Sequence, residues 1–230
     1  MLAEQLDDTA LAHAFAEDGR LRVDGVLDAD FAERVAGAVE ALPFDLIFHA
    51  GGAGRVAPRE EMERLTPAQH EQLQTELFEQ AGRGVGFLYA GYRMEGIRAD
   101  AAPPALKALF SLINGELLAR VRAITGIDDL RSADGQYTRY DPGHFLTRHS
   151  DAIGAEHRRV AYVLNLTREW HPDWGGLLQF YEADGTPRDA WAPRFNSLTL
   201  FDVRHVHAVT FVAPYARAPR LALTGWFRDA

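Results

Sequence analysis

The sequence predicts an α+β fold, in which a jelly-roll or antiparallel-barrel core of short strands is supported by helices from the N-terminal part of the chain. In the first half, apolar residues recur every three to four positions in several stretches, which is the helical period. From Ser132 onward the period changes to two, in short β-branched or aromatic runs separated by turn residues such as Asp-Pro-Gly. Six or more short strands with such punctuation are typical of a closed or two-sheet antiparallel architecture.

The first elements have recognisable starts and stops. Residues 8–15 have a short helical pattern, and residues 20–27 alternate well enough to predict a strand. Asp28 then opens a helix that Pro43 stops. The apolar positions of this helix recur at helical spacing: Phe31, Val35, Val39 and Leu42.

Two further helices are predicted before the run of strands begins. Thr66, with Pro67 after it and Gln69 three positions on, forms a capping-box start, and Gly82 marks the end of that helix. The next helix begins near Pro104. Its apolar face comprises Leu106, Phe110, Ile113, Leu117 and Val121. We expect these helices to pack as support against the strands.

The second half is predicted to hold at least six strands. They cover residues 136–140, 159–166, 176–181, 197–201, 207–212 and 220–227. Since no internal repeat or clear linker is visible, we interpret 1–230 as a single domain, with 1–131 as mainly helical support and 132–230 as the jelly-roll core. The segments 49–55 and 82–91 are predicted as loops, either ordinary connections or a lid over a site.

Composition limits the chemistry available to this chain. Its 230 residues include nine histidines and no cysteine, which excludes disulfides, thiolate zinc sites, iron–sulfur clusters and cysteine nucleophiles. Any metal must therefore bind to His, Asp, Glu or water. The 24 Lys and Arg against 33 Asp and Glu give a formal charge of −9, the wrong sign for holding a phosphate backbone. We expect no nucleic-acid partner.

The sequence also carries no membrane or export signal. No stretch reaches the roughly 18 to 20 unbroken apolar residues of a membrane span. Residues 1–16 lack the basic start and apolar centre of a secretory signal peptide. We therefore expect no membrane partner and a cytoplasmic location, and the oligomeric state stays unknown.

Two His-x-Asp pairs are candidate metal-binding motifs. On a strand, residues i and i+2 project to the same face, so His149 and Asp151 can direct an imidazole and a carboxylate at one ion. His171 and Asp173 have a proline between them, and we interpret that pair as part of a turn.

A third ligand would come from a distant strand, where His205 and His207 are the candidates. Two histidines and one carboxylate on one face, with other positions open, form the facial triad of non-haem Fe(II) oxygenases. Any one of these histidines taken alone is better interpreted as an ordinary hydrogen-bonded side chain. The metal site is favoured because the pair, the third histidine and the strand pattern agree.

Several motifs follow one another in the C-terminal part of the chain. They are Tyr140-Asp-Pro-Gly, Arg148-His-Ser-Asp, Tyr162-Val-Leu-Asn, Trp174-Gly-Gly-Leu, Leu200-Phe-Asp, His207-Ala-Val and Arg220-Leu-Ala-Leu-Thr-Gly-Trp-Phe. In this order they resemble the Fe(II)/2-oxoglutarate-dependent oxygenases of the prolyl 4-hydroxylase-like branch, which includes hypoxia-factor and ribosomal prolyl hydroxylases. The resemblance covers residues 140–227 and implies a double-stranded β-helix (jelly-roll) core.

The resemblance implies a role for each matching position. His149, Asp151 and His207 match the iron ligands. Arg220, at the start of the last core strand, matches the residue that binds the far carboxylate of 2-oxoglutarate, and its guanidinium suits a carboxylate because it can donate two parallel hydrogen bonds. Arg217 is the alternative for this role.

Three further residues are candidates for the cosubstrate pocket. Thr224 lies four residues after Arg220 on the same strand face, and Tyr140 matches a pocket tyrosine of the family. Some relatives have a tyrosine immediately before a Leu-Asn pair, where this chain has Val163, with Tyr162 one residue earlier. A shift of one residue along a strand turns a side chain to the other face, so Tyr162 is a candidate that departs from the family pattern.

The implied activity is hydroxylation of an unactivated C–H, most naturally of a prolyl residue in a protein, with release of succinate and CO2. The implied cofactors are Fe(II), 2-oxoglutarate and dioxygen, with ascorbate as a candidate reductant. Alternatives are a hydroxylase of a free amino acid or small molecule, a cupin-type metalloenzyme without 2-oxoglutarate, and a non-catalytic binding module. Substrate choice is expected to depend on residues 44–100 and 151–158.

Overall fold

Helices make up most of the regular structure in the first half of the chain, as the apolar spacing predicts. The computed structural model describes residues 1–3, 6–94 and 102–230. The helices are α1 (Asp8–Asp18), α2 (Ala29–Glu40), α3 (Arg59–Glu63), α4 (Pro67–Gly82), α5 (Pro104–Leu112) and α6 (Leu118–Thr125), and a π-helical turn (Ile113–Leu117) joins the last two. Within the described ranges, no helix has both the length and the apolarity needed to cross a membrane.

The helix starts predicted from capping residues are confirmed. The Asp28 carboxylate accepts a hydrogen bond from the backbone N–H of Phe31 at the start of α2. At the start of α4, the Thr66 hydroxyl accepts from the backbone N–H of Gln69, and the Gln69 side chain accepts from the backbone N–H of Thr66. These side chains satisfy donors that the first turn of a helix leaves without partners.

The described strands form one strongly curled antiparallel sheet. They are β1 (Arg20–Asp24), β2 (Asp45–Ala50), β3 (Ala53–Ala57), β4 (Phe87–Arg93), β5 (Ser132–Tyr140), β6 (Phe145–His149), β7 (Arg158–Asn165), β8 (Leu178–Tyr181), β9 (Pro187–Trp191), β10 (Ser197–Asp202), β11 (His207–Val209) and β12 (Arg220–Arg228). The order across the sheet is β1-β10-β7-β12-β5-β4-β6-β11-β8-β9. β2 joins the sheet by pairing with β4, and β3 pairs with β2. This curled sheet agrees with the predicted α+β jelly-roll class.

The central strands separate two apolar regions. On the helix-side face, Leu223 of β12 packs in the large core together with residues of α2, α5 and α6. On the inner face, Ala222 of β12 and Val163 of β7 belong to a smaller cluster inside the curl. Because side chains alternate along a strand, Arg220 and Thr224 share the inner face with Ala222. The inner face is therefore where a site can form.

The prediction of loops at 49–55 and 82–91 is wrong in part. β2 and β3 form a hairpin around residues 51–52, and β4 begins at Phe87 and pairs with β2, β5 and β6. Most side chains of β3 are exposed, so the sequence shows no apolar alternation there. These strands form because neighbouring strands supply hydrogen-bond partners, and such pairing cannot be predicted from the β-propensity of the segment alone. The first half thus adds four strands to its helices, of which only β1 was predicted.

A pair of facing glycines lets β5 and β12 approach closely. Gly135 and Gly225 are cross-strand partners, and a Cβ at Gly225 would overlap the backbone carbonyl of Asp134. We expect Gly225→Ala to lower the free energy of unfolding by about 1–3 kcal/mol, because the overpacked strands must shift. Urea denaturation measures the loss. The matched control is Gly115→Ala in the helical region, where an added Cβ meets open space, and an equal loss in both variants would contradict the explanation.

Candidate metal centre and cosubstrate cavity

Three potential metal ligands meet on adjacent strands. His149 ends β6, Asp151 follows two residues later, and His207 begins β11 directly opposite His149. One ligand atom from each residue lies within 4.8 Å of the others. An Asp151 carboxylate oxygen is 3.7 Å from Nε2 of His149, and the other is 3.5 Å from Nε2 of His207. The antiparallel pairing of β6 with β11 thus brings together residues that are far apart in the sequence.

Hydrogen bonds orient both imidazoles so that their Nε2 atoms face the shared point. Nδ1 of His149 lies 3.0 Å from the carbonyl oxygen of Thr147, and Nδ1 of His207 lies 3.0 Å from that of His205. A carbonyl oxygen only accepts, so each Nδ1 is the donor of this hydrogen bond, and Nε2 is the ring nitrogen available to a metal. This is how metal-binding histidines are commonly oriented.

Burial keeps His207, the third candidate ligand, in the form that a metal requires. His207 and Asp151 are buried. Burial, together with the neighbouring His149, lowers the pKa of His207, so the ring is neutral near pH 7. The loop after β6 is fixed because the backbone N–H of Asp151 donates to the carbonyl of Val203.

The other candidate histidines lie away from this centre. Nε2 of His205 is 2.9 Å from the carbonyl oxygen of Asp18, beside α1. His171 is exposed, and its Nδ1 accepts from the backbone N–H of Asp173 in a short 3₁₀ turn, as the intervening proline indicates. The structure therefore selects His207 over His205 and leaves the second His-x-Asp pair as a turn.

A cavity of about 390 Å³ extends from the three ligands into the curl of the sheet. Arg220 lines it and is 2% exposed. Its Nε and Nη1 atoms have no hydrogen-bond partner among the described residues. Burial lowers the pKa of this guanidinium, yet arginine stays charged in proteins. A buried charge without a partner is costly, so an anion bound in the cavity would be stabilised by pairing with the Arg220 guanidinium.

Two tyrosines form the wall beside Arg220. The Arg220 guanidinium carbon lies 5.2 Å from the ring centroid of Tyr140, and Tyr140 stacks on Tyr89 with 5.3 Å between centroids. Burial raises the pKa of both phenols, which keeps them neutral donors. The Tyr89 hydroxyl accepts from the side-chain amide of Gln136, and the Thr224 hydroxyl is 3.5 Å from the Gln136 carbonyl oxygen.

Tyr89 and Gln136 were missed in the sequence. Gln136 had a detectable signal, because residues 136, 138 and 140 alternate onto one face of a predicted strand. Tyr89 had none, since it lies in a segment predicted as a loop and reaches the cavity only through the pairing of β4 with β5.

Tyr162, a predicted cosubstrate residue, has its ring mainly on the helix side of β7. Its hydroxyl donates to the backbone carbonyl of Asp134, and its ring packs at 5.1 Å from that of Phe227 in the helix-side core. Val163, the next residue, points to the inner face. The one-residue shift thus turns the ring toward the helix-side core, but Tyr162 is still among the residues that line the cavity, and its contact with a cosubstrate stays a prediction.

Arg158 forms part of the cavity wall next to the carboxylate ligand. Its guanidinium carbon lies 3.5 Å from the ring centroid of Trp226. One nitrogen is 2.5 Å from the Glu156 carboxylate, and another is 3.8 Å from the Asp151 carboxylate. Stacking and ion pairing fix this positive charge beside Asp151.

Comparison with known proteins shows what the region around this site is similar to. Residues 135–228 match the model of the 2OG-Fe(II) oxygenase superfamily. Prolyl 3-hydroxylase OGFOD1 of Mus musculus is 31% identical over 131 residues, which are 54% of this chain and 24% of that protein. Its Xenopus laevis counterpart is 32% identical over 129 residues, which are 53% of this chain and 25% of that protein. The chain therefore spans about a quarter of the length of these relatives.

Solved structures share the fold over nearly the whole chain. A Pseudomonas putida prolyl-4-hydroxylase superposes with a TM-score of 0.65 at 22% identity, covering 96% of this chain and 98% of that one. A Trichoplax adhaerens prolyl hydroxylase, solved with a hypoxia-inducible-factor peptide, gives 0.66 at 19% identity, covering 96% and 89%. These likenesses confirm the predicted jelly-roll core.

The superfamily match covers residues 135–228, which include His149, Asp151, His207 and Arg220, so this region is similar to the iron- and 2-oxoglutarate-dependent oxygenases. The similar proteins named above are prolyl hydroxylases, as the motifs predicted. The family implies Fe(II), 2-oxoglutarate and dioxygen, and the described His-Asp-His cluster provides a donor set that suits iron.

Proposed function

We propose that the protein hydroxylates a prolyl residue of a protein substrate, using Fe(II), 2-oxoglutarate and dioxygen. The observation that carries this proposal is a single cavity lined by His149, Asp151 and His207 and by the buried guanidinium of Arg220, whose Nε and Nη1 have no hydrogen-bond partner among the described residues. In a cupin-type site that does not use 2-oxoglutarate, the Arg220 guanidinium would have no cosubstrate carboxylate to bind. The choice of proline is supported by relatives that are named prolyl hydroxylases.

Each residue has a defined task in this proposal. His149, Asp151 and His207 would hold the iron, and Arg220 would bind the far carboxylate of 2-oxoglutarate through a two-bond fork. With these groups bound, dioxygen would be the oxidant: one oxygen atom would enter succinate as 2-oxoglutarate loses CO2, and the other would enter the hydroxyl group formed from the C–H bond. Tyr140 would pack along the cosubstrate.

The inner face supplies positioning and a dry environment. Thr224 shares the strand face of Arg220 and would donate its hydroxyl to the same carboxylate. Val163 and Phe201 present apolar surface to the cavity, and Trp226 lines its wall. Apolar walls that exclude water limit side reactions and strengthen the Arg220–carboxylate attraction.

The direct test combines two measurements on the purified protein with Fe(II) and 2-oxoglutarate. Succinate formation reports cosubstrate turnover, and mass spectrometry of proline-containing peptides and of free amino acids reports a one-oxygen mass gain. We expect succinate and a modified prolyl residue in a peptide. Oxygen added only to free proline or another small molecule would favour the small-molecule alternative, and no succinate with any substrate would overturn the proposal.

Several sequence predictions remain part of this proposal. They are the single-domain organisation, a cytoplasmic location, the absence of nucleic-acid and membrane partners, and stimulation by ascorbate. The prediction of a lid also remains. Residues 44–100 were expected to influence substrate choice, and 95–100 of that range lie outside the described residues. Imaging of the tagged protein and succinate assays with and without ascorbate test the location and the reductant.

A further inference from the structure

A second cavity, of about 610 Å³, shares a wall with the metal cavity. The shared wall includes Leu146, Thr147, Arg148 and Val209, and Arg148 directly precedes the candidate ligand His149. Anything bound in the second cavity therefore lies next to a molecule that occupies the metal cavity.

Three phenylalanines from separate elements line this second cavity, which we call the aromatic groove. Phe78 comes from α4, Phe145 from β6, and Phe211 from the segment after β11. The three ring centroids are 6.0 to 6.2 Å apart. Phe78 is 40% exposed and Phe211 is 45% exposed although they contact each other. Large aromatic side chains that converge and yet stay exposed are typical of a binding surface.

Arg148 is the single charged side chain among the residues that line the aromatic groove. Its guanidinium carbon lies 5.4 Å from the ring centroid of Tyr181, and no carboxylate of a described residue pairs with it. Gly185 makes room for this arrangement, since a Cβ there would overlap Nη1 of Arg148. The groove thus offers apolar surface together with one unneutralised positive charge.

We propose that the aromatic groove binds an extended segment of the protein substrate that flanks the hydroxylated residue. An apolar side chain of this segment packs on the three phenylalanines, and an acidic side chain pairs with Arg148. The inference rests on the proposed function and names its substrate class more narrowly. It follows from the shared wall, because a chain whose prolyl residue enters the metal cavity places neighbouring residues in the groove.

The test uses short synthetic peptides with one central proline and randomised flanking positions. After incubation with the enzyme, Fe(II) and 2-oxoglutarate, the peptides that have gained oxygen are sequenced by mass spectrometry. We expect enrichment of Asp or Glu at one flanking position and of apolar residues nearby. Arg148→Glu should reverse this preference, so that basic residues are enriched at the position where the unmodified enzyme prefers Asp or Glu. We expect enrichment of about two- to fivefold in each case, because the ion pair is exposed.

Matched variants distinguish the loss of contacts in the aromatic groove from a general effect of changed net charge. Phe211→Ser should raise KM for a preferred peptide about three- to tenfold by removing apolar contact. Arg64→Glu changes the net charge as Arg148→Glu does but lies on an exposed turn outside both cavities, and it should leave the peptide preference unchanged. Hydroxylation with no flanking preference, or with a preference that Arg148→Glu leaves intact, overturns the inference.

A binding measurement distinguishes failure of the inference from failure of the proposed function. Peptides from the same library that carry a photoreactive benzophenone are crosslinked to the protein, and the attachment points are mapped. Crosslinks at Phe78 or Phe211 without hydroxylation of any peptide would support the groove and count against prolyl hydroxylation. Hydroxylation with crosslinks only at other surfaces would retain the activity and exclude the aromatic groove.

Discussion

Replacing Asp151 with alanine should abolish iron binding and 2-oxoglutarate turnover together. Asp151 supplies the only carboxylate of the described cluster, and its two oxygens face Nε2 of both His149 and His207. Without it, two neutral imidazoles remain, and they neither balance the charge of Fe(II) nor complete a facial triad. We expect metal affinity to fall by more than about a hundredfold, the upper end of the loss caused by changing residues that only support ligands.

Calorimetric titration with Fe(II) under anaerobic conditions measures the affinity, and succinate formation measures the turnover. His149→Ala should behave like Asp151→Ala. The matched control is His171→Ala, which removes the histidine of the other His-x-Asp pair from an exposed turn and should leave iron binding and turnover unchanged. Tight iron binding by Asp151→Ala, or its loss in His171→Ala, would contradict the site assignment.

Replacing Arg220 with methionine should remove most of the affinity for 2-oxoglutarate while retaining iron binding. Methionine keeps much of the buried volume but removes the charge and the donors Nε and Nη1, which have no partner among the described residues. Truncating one side of a buried, hydrogen-bonded charge pair costs about 2–5 kcal/mol, which corresponds to roughly thirty- to several-thousandfold in affinity. The protein without cosubstrate should be no less stable, since an unpaired buried charge is removed.

Thermal unfolding with and without 2-oxoglutarate checks both parts of this expectation. A ligand at a hundred times its Kd stabilises the native state by about 2.7 kcal/mol, and Arg220→Met should lose this gain at the concentration that saturates the unmodified protein. Arg217→Ala is the control, because Arg217 is the alternative from the sequence and is exposed. A stabilisation that survives in Arg220→Met and disappears in Arg217→Ala would transfer the role to Arg217.

Much of the fold follows from local patterns in the sequence. The capping residues Asp28 and Thr66 mark where two helices start, and period-two runs mark most strands of the second half. β2, β3 and β4 were not predicted, because they lack clear alternation and exist through pairing with one another and with β5. The short strands β6 and β9 were not among the six predicted strands either.

The sequence by itself determined the kind of chemistry. The absence of cysteine restricted any metal to His, Asp and Glu, and one His-x-Asp pair together with the ordered motifs indicated the oxygenase family. These properties are local, because ligands two residues apart on a strand are neighbours whatever surrounds them. The departure at Tyr162 was also visible, since a one-residue shift reverses the face of a strand.

Only the tertiary structure decided which distant groups converge. It brought His207 rather than His205 to the His149–Asp151 pair, and it added Tyr89 from a segment with no signal of its own. It also placed Arg220 at the same cavity, with no partner for Nε and Nη1 within the part of the chain that is described. It also placed the aromatic groove beside the metal cavity. These outcomes depend on strand pairing between residues far apart in the chain, and the register of such pairing is set by the packing of the whole sheet.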